Sequence, residues 1–280
     1  MAYVSSLEMI KKAQKEGYAV PAFNAENLEM IQAIIAAAEE AKSPVMIQTT
    51  PPTAKYITLD AMVAMVKTFA EKASVPVALH LDHCDNYEDV VKAMDAGYTS
   101  VMFDGSKQPY EQNVEITKKV VETANPRGIT VEAELGTVGG KEDNVSADIM
   151  YTDVNQAVDF ATRTGVDIFA IAIGTAHGFY KGEPKLDFDR LSEIRAKIDT
   201  PLVLHGGSGI PDVKVQEAIK RGMAKVNFAT ELRAAATTAV RKALEDENII
   251  DPKKFMGPAR EAVKALCLDK IQVCGSQNKA

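Results

Sequence analysis

Four histidines are spread over 280 residues, and their placement is the first sign of chemistry. His80 and His83 fall in the run Val77–Cys84, read V-A-L-H-L-D-H-C, and His177 and His205 each follow an apolar run and sit against glycine. Neutral imidazoles suit zinc or a similar divalent ion, and three protein ligands with one open position is the catalytic form of such a site. His83, His177 and His205 are therefore candidate metal ligands. A lone histidine after a strand is more often a hydrogen-bonded structural group; three at matching strand ends favour a metal. His80 lies inside its run and reads as a core or supporting residue. Asp104 and Glu134 also close apolar runs and could add an oxygen ligand or a second cation position. Asp82 and His83 are neighbours and would face opposite ways in a continuing strand, so both reach one site only if the strand ends there. Cys84 reads as a small buried thiol.

These side chains need elements to position them. Eight short apolar runs (19–23, 45–47, 77–84, 100–103, 129–134, 167–173, 201–205 and 224–228) alternate with helical patterns. The helices are predicted over 5–15, 28–42, 59–72, 86–96, 109–124, 152–164, 188–198, 211–221, 230–245 and 258–273, with Asn86 as a cap and Gly97 as a stop. Alternation of this kind implies βαβ units and a parallel sheet. Eight units in a chain of this length predict an α/β fold, a (β/α)8 barrel, as one domain over 1–280. An open doubly wound sheet would more typically carry a glycine fingerprint after its first strand, and 24–30 has no glycine.

In such a barrel, chemistry sits where strands meet the following loops. The polar strand ends are Asn24, Thr50, Asp82 and His83, Asp104, Glu134, His177, His205 and Asn227. Asn24 and Thr50 are candidate substrate contacts. Gly206, Gly207, Ser208 and Gly209 follow the seventh run, and Asn227, Phe228, Ala229 and Thr230 close and follow the eighth. Those are the two loops in which barrels frequently seat a phosphate, and glycine lets backbone N–H groups approach an anion closely. The stretch from Gly139 to Ala147 is predicted to be structureless. With Glu142 and Asp143 it reads either as a lid carrying a base or as a solvated acidic loop.

Composition narrows the partners. A net charge of -7 without a basic stripe argues against nucleic acid. No apolar stretch approaches the ~18 residues of a membrane span, and the first residues lack a signal-peptide pattern. Three cysteines without a C-x-x-C pair predict reduced thiols and a cytoplasmic protein.

Several longer motifs carry a resemblance. H-L-D-H at 80–83, F-D-G-S at 103–106, V-E-A-E-L-G-T-V-G-G-K-E-D at 131–143, A-I-G-T-A-H-G at 172–178, K-G-E-P at 181–184 and L-H-G-G-S-G-I-P at 204–211 closely resemble the class II, metal-dependent ketose-bisphosphate aldolases. The similarity runs through G-P-A-R-E-A at 257–262 to the C-terminus. It implies a (β/α)8 barrel that reversibly cleaves fructose 1,6-bisphosphate to dihydroxyacetone phosphate and glyceraldehyde 3-phosphate, with tagatose 1,6-bisphosphate or another phosphorylated ketose as the alternative. It implies Zn2+ at His83, His177 and His205, with Asp104 and Glu134 serving a second or alternative divalent position. Asp82 would be the acid/base at the aldehyde oxygen, and Glu142 would exchange the proton on the dihydroxyacetone phosphate carbon. Gly178, Gly206 to Ser208 and Asn227 to Thr230 would hold that phosphate, with Asn227 near the enediolate. A monovalent cation (Na+ or K+) near the phosphate and a homodimer or homotetramer are implied as well. Ala229, where many fructose bisphosphate aldolases have Asp or Asn, bears on the stereochemistry accepted at C4, as do Ser106-Lys107-Gln108 and Pro51-Pro52.

Rival chemistries leave different marks. A barrel hydrolase often starts with H-x-H on its first strand, and 19–24 has none. A Schiff-base aldolase would place a lysine at a strand end, whereas Lys225 lies inside the eighth run.

Overall fold

The computed structural model describes residues 2–142, 145–147, 150–180 and 182–280, with backbone alone for 141, 142 and 145–147. In chain order the elements are α1 (Leu7–Glu16), β1 (Val20–Asn24), α2 (Leu28–Ala41), β2 (Val45–Thr49), α3 (Pro51–Ile57), α4 (Leu59–Ala70), β3 (Val77–Cys84), α5 (Tyr87–Ala96), β4 (Ser100–Phe103), α6 (Tyr110–Ala124), β5 (Thr130–Leu135), β6 (Gly139–Glu142) and β7 (Val145–Ala147). Then follow α7 (Val154–Thr164), β8 (Ile168–Ile171), β9 (Ala176–His177), α8 (Phe188–Arg195), β10 (Leu202–Leu204), α9 (Asp212–Lys220), β11 (Met223–Phe228), α10 (Thr230–Ala243) and α11 (Pro252–Val273).

Eight parallel strands close in the order β1-β11-β10-β8-β5-β4-β3-β2. All eight predicted runs are barrel strands. Outside the ring, the strands pack against the helices through a continuous core that includes Phe23, Leu79, Phe103, Phe169 and Phe228. Inside it, one end is filled by Val20, Ala22, Met46, Ala78, Ile168, Ala170, Val203 and Ala224, with Met9, Ile10 and Ala13 of α1 packed onto them. The alternation then turns polar toward the other end: Ala78, His80 and Asp82 on β3, and Thr130, Glu132 and Glu134 on β5. The strand sequence thus sets an apolar floor and a titratable mouth.

The structure differs from the sequence prediction in three places. Pro51-Pro52 begin a helix, α3, since proline suits the first helical turn, and Thr50 before it takes the extended backbone (φ -81, ψ 163) that a residue preceding proline favours. Helix α11 starts at Pro252, capped by Asp251, and carries Pro258 inside it, where a start had been expected. The stretch expected to be structureless contains strands: β6 pairs antiparallel with β7 and parallel with β9, Gly140 opposite His177. Gly140 has φ +86, and a Cβ there would collide with the His177 backbone, so glycine permits this pairing. Among the described residues no helix is long and apolar enough to cross a membrane. Cys84, Cys267 and Cys274 are buried free thiols.

Candidate functional site

Asp82 and His83 reach one site by a route the strand pattern did not predict. The β3–β4 pairing passes from Leu81 opposite Val101 to Cys84 opposite Phe103, so two residues face Met102 alone. Strand β3 continues to Cys84; it is a bulge, with His83 at φ +50, that turns both side chains inward. The His83 N–H donates to Met102 Sδ at 3.3 Å.

His83, His177 and His205 each bring one ring nitrogen to within 4.8 Å of the others. His83 Nε2 and His205 Nδ1 face each other at 2.8 Å. Carboxylates take the opposite edges of both rings: Asp104 Oδ2 lies 2.9 Å from His83 Nδ1, and Glu132 Oε1 lies 2.7 Å from His205 Nε2. Such partners fix which nitrogen a metal-binding imidazole offers. Asp104 and Glu134 also form, with His83, a second group able to hold a cation. Glu134 Oε2 is buried without a hydrogen bond, 3.4 Å from His205 Nδ1. An orphaned carboxylate oxygen beside the His83 and His205 imidazoles is costly unless a cation joins them, so the donor set fits a divalent metal.

The electrostatics agree. Burial, reinforced by His83, pushes the His177 and His205 pKa values well below the usual imidazole range, keeping both in the neutral, ligating form. Burial also disfavours charge on His83, but Asp82, Asp104 and Glu134 outweigh it and raise its pKa well above normal. Glu134 is raised well above its usual value by burial and then by Asp104. Asp104 is held low: burial opposes ionisation, and hydrogen bonds from His83 and Ser106 more than offset it.

Below the histidines lies a buried layer that the strand-end reading passed over. Lys225 Nζ is 2.7 Å from Glu132 Oε2, and both side chains are fully buried. His80 Nδ1 is 2.7 Å from Ser100 Oγ, and its Nε2, without a hydrogen bond, lies 3.5 Å from Glu132 Oε2 and 3.7 Å from Asp82 Oδ1. This is the supporting place expected of His80. The signal for Glu132 was present: in Val131-Glu132-Ala133-Glu134 both carboxylates share one strand face. Lys225→Met is expected to cost about 3–5 kcal/mol, because it leaves a buried carboxylate uncompensated. Urea unfolding of this variant beside Glu132→Gln/Lys225→Met checks it, with the double variant recovering part of the loss.

Above the histidines a small cleft is lined by Asn24, Gln48, Asp82, His177, Gly178, Gly206, Ser208, Asn227, Ala229 and Thr230. Larger hollows, such as the 450 Å³ space between α2, α10 and α11 and the 680 Å³ space beside α3 and Cys84, hold none of the histidines. Gln48, not singled out from sequence, donates from Nε2 to Asn24 Oδ1 at 2.7 Å and to Asp82 Oδ2 at 3.0 Å. Asn227 Nδ2 donates to Asp82 Oδ1 at 3.3 Å. Burial raises the Asp82 pKa, and the charges of His83 and Lys225 pull it back in part. Asn24 Nδ2, Gln48 Oε1 and Asn227 Oδ1 are buried without protein partners, which is the signature of a seat for a polar ligand.

Three expected contacts lie elsewhere. Thr50 sits at the N-cap just before α3, with its hydroxyl 3.3 Å from that of Thr53. The Phe228 ring packs in the core, 5.7 Å from that of Phe23. The Gly207 N–H donates to Asn227 O at 3.0 Å, so it ties its loop to the end of β11 rather than facing the cleft. Glu142 ends β6, and its side chain lies outside the described residues.

The comparisons with known proteins point one way. The family model described as fructose-bisphosphate aldolase class-II matches residues 4–279. A fructose-bisphosphate aldolase of Staphylococcus epidermidis is 47% identical, with 100% of each chain covered. One from Geobacillus stearothermophilus is 48% identical over 100% of this chain and 99% of its own. Among solved structures, the YdjI aldolase of Escherichia coli K12 superposes with a TM-score of 0.89 at 37% identity, covering 99% of both chains.

Proposed function

The chain belongs to the class-II fructose-bisphosphate aldolase family, and we propose that its barrel mouth reversibly cleaves fructose 1,6-bisphosphate into dihydroxyacetone phosphate and glyceraldehyde 3-phosphate. The observation that carries this reading is the joining of two features: three converging imidazoles, and a buried Asp82 in a cleft with unsatisfied amide groups. His83, His177 and His205 would hold Zn2+, with Asp104 and Glu134 beside it for a second divalent position. Bound there, the ion acts as a Lewis acid on the negative charge left when a carbon–carbon bond next to a carbonyl breaks.

The chain's own groups do the rest. Asp82 takes the proton of the C4 hydroxyl during cleavage and returns it to the aldehyde oxygen in condensation. Gln48 and Asn227 hold its two oxygens in place, and burial brings its pKa toward that of a group able to carry a proton. The free amide atoms of Asn24, Gln48 and Asn227 orient the hydroxyls and carbonyl of the open-chain ketose. Gly178, Gly206, Ser208 and the first turn of α10 at Thr230 seat the phosphate on backbone N–H groups and a hydroxyl. Glu142, carried by the ribbon strand paired with His177, exchanges the proton on the dihydroxyacetone phosphate carbon. Na+ or K+ beside the phosphate, a homodimer or homotetramer and a cytoplasmic location complete the proposal, on family likeness.

A second reading, tagatose 1,6-bisphosphate, is favoured by Ala229 in the cleft wall. Cleavage of the two sugars side by side separates them. Fructose 1,6-bisphosphate is expected to be cleaved with the higher kcat/KM, a reversed preference would move the assignment to the epimer, and turnover of neither with zinc supplied would overturn the bisphosphate reading.

A further inference from the structure

The two anion loops are stitched by a reciprocal set of bonds. Helix α10 starts after Ala229, which has no side-chain oxygen to cap it. Ser208, from the loop after β10, takes that place: its Oγ accepts the N–H of Ala229 at 3.2 Å and of Glu231 at 3.4 Å. Glu231 reaches back, and its Oε1 accepts the Gly209 N–H at 2.9 Å. This is the give-and-take of a capping box, divided between two separate loops. With both acceptor positions of Ser208 taken by N–H groups, its hydroxyl hydrogen is left to donate, and Ser208 lines the cleft.

A third helix locks the arrangement. Lys270 of α11, only 8% exposed, places Nζ 3.3 Å from the second oxygen of Glu231 and 3.3 Å from Asp212 Oδ1 at the start of α9. Its ammonium also lies 5.6 Å from the centre of the Phe228 ring. Helices α9 and α10 are the two that leave the anion loops, so one ammonium ties together both loop exits. It also offsets two carboxylates that would otherwise repel an anion in the adjoining cleft.

We propose that Glu231 and Lys270 are positioning residues for the substrate's phosphate: they fix the spacing of the two loops and aim the Ser208 hydroxyl without touching the ligand themselves. The inference rests on the reading that this cleft seats a phosphate ester. In Lys270→Met the affinity for inorganic phosphate is expected to fall about tenfold, the size of one charged hydrogen bond, and KM for the bisphosphate to rise by a similar factor. kcat should fall by less than KM rises, because ground-state and transition-state binding are weakened together. Lys270→Arg keeps the charge and is expected to recover most of the loss. Glu231→Gln, which keeps the volume and an acceptor for Gly209, is expected to be intermediate.

Titration of inorganic phosphate into the zinc-loaded protein, followed by calorimetry, reads this independently of turnover. If the unaltered protein binds no phosphate, the seat itself is misassigned. If it binds phosphate and the Met and Gln variants bind equally well, even with a lowered melting temperature, the two residues are merely structural and the inference is overturned. Should Lys270→Met not fold, Glu231→Gln against Lys270→Arg decides on the same readout.

Discussion

Asp82→Asn is expected to lower kcat for ketose bisphosphate cleavage by about 10²–10⁴-fold, the usual contribution of a placed general acid–base. The substitution is close in shape, and Gln48 Nε2 and Asn227 Nδ2, which now donate to the two carboxylate oxygens, would still find one carbonyl oxygen. What is lost is the ability to hold a proton and give it back. Since the side chain is 1% exposed, water has poor access to take over. Exchange of solvent deuterium into dihydroxyacetone phosphate does not need this proton transfer and is expected to persist. The pair of measurements therefore separates a lost acid–base from a collapsed site. Cleavage within tenfold of the unaltered protein would remove Asp82 from the role.

Stripping the divalent ion is expected to have an effect of comparable size. Several kilocalories of charge stabilisation disappear, which at about 1.36 kcal/mol per tenfold is a loss of about 10³-fold or more. Zinc should restore the rate. It should also raise the melting temperature, since a ligand at a thousand times its Kd stabilises the folded state by about 4 kcal/mol. The pH dependence has a definite sign. The carboxylates around His83 raise its pKa, so a cation must displace a firmly held proton, and apparent metal affinity falls as pH falls through that raised value. Metal content and rate followed together during dialysis against a chelator test all of this. A metal-free protein with full activity would send the search back to covalent chemistry, for which Lys225, buried against Glu132, is badly placed.

Much of this was legible in the chain. Each barrel strand announced itself as an apolar run, and the polar residue closing most runs marked the mouth, Thr50 being the exception, because strand alternation and the βα loop rule are local in sequence. Residues whose role depends on depth or on distant partners were not. Glu132 and Glu134 share a face, but the stagger of the closed sheet decides that Glu132 lies a layer deeper, against a lysine 93 positions away. The bulge at Asp82 and His83 comes from pairing with β4, which no pattern inside β3 records. The β6–β9 contact likewise joins segments that are far apart, and Gly139-Gly140 by themselves read as a loop. Gln48 looked like the tail of a run until Asn24 and Asp82 were seen on either side of it.

Helix α1 gives the molecule the form of a cup. Met9, Ile10 and Ala13 stopper the base, where the lining is alanine, valine, isoleucine and methionine. Arrivals and departures then share the rim, past His177, Gly178 and Gly206. With the base packed shut by these apolar side chains, a molecule lodged at the mouth would block the way to the buried groups beneath it.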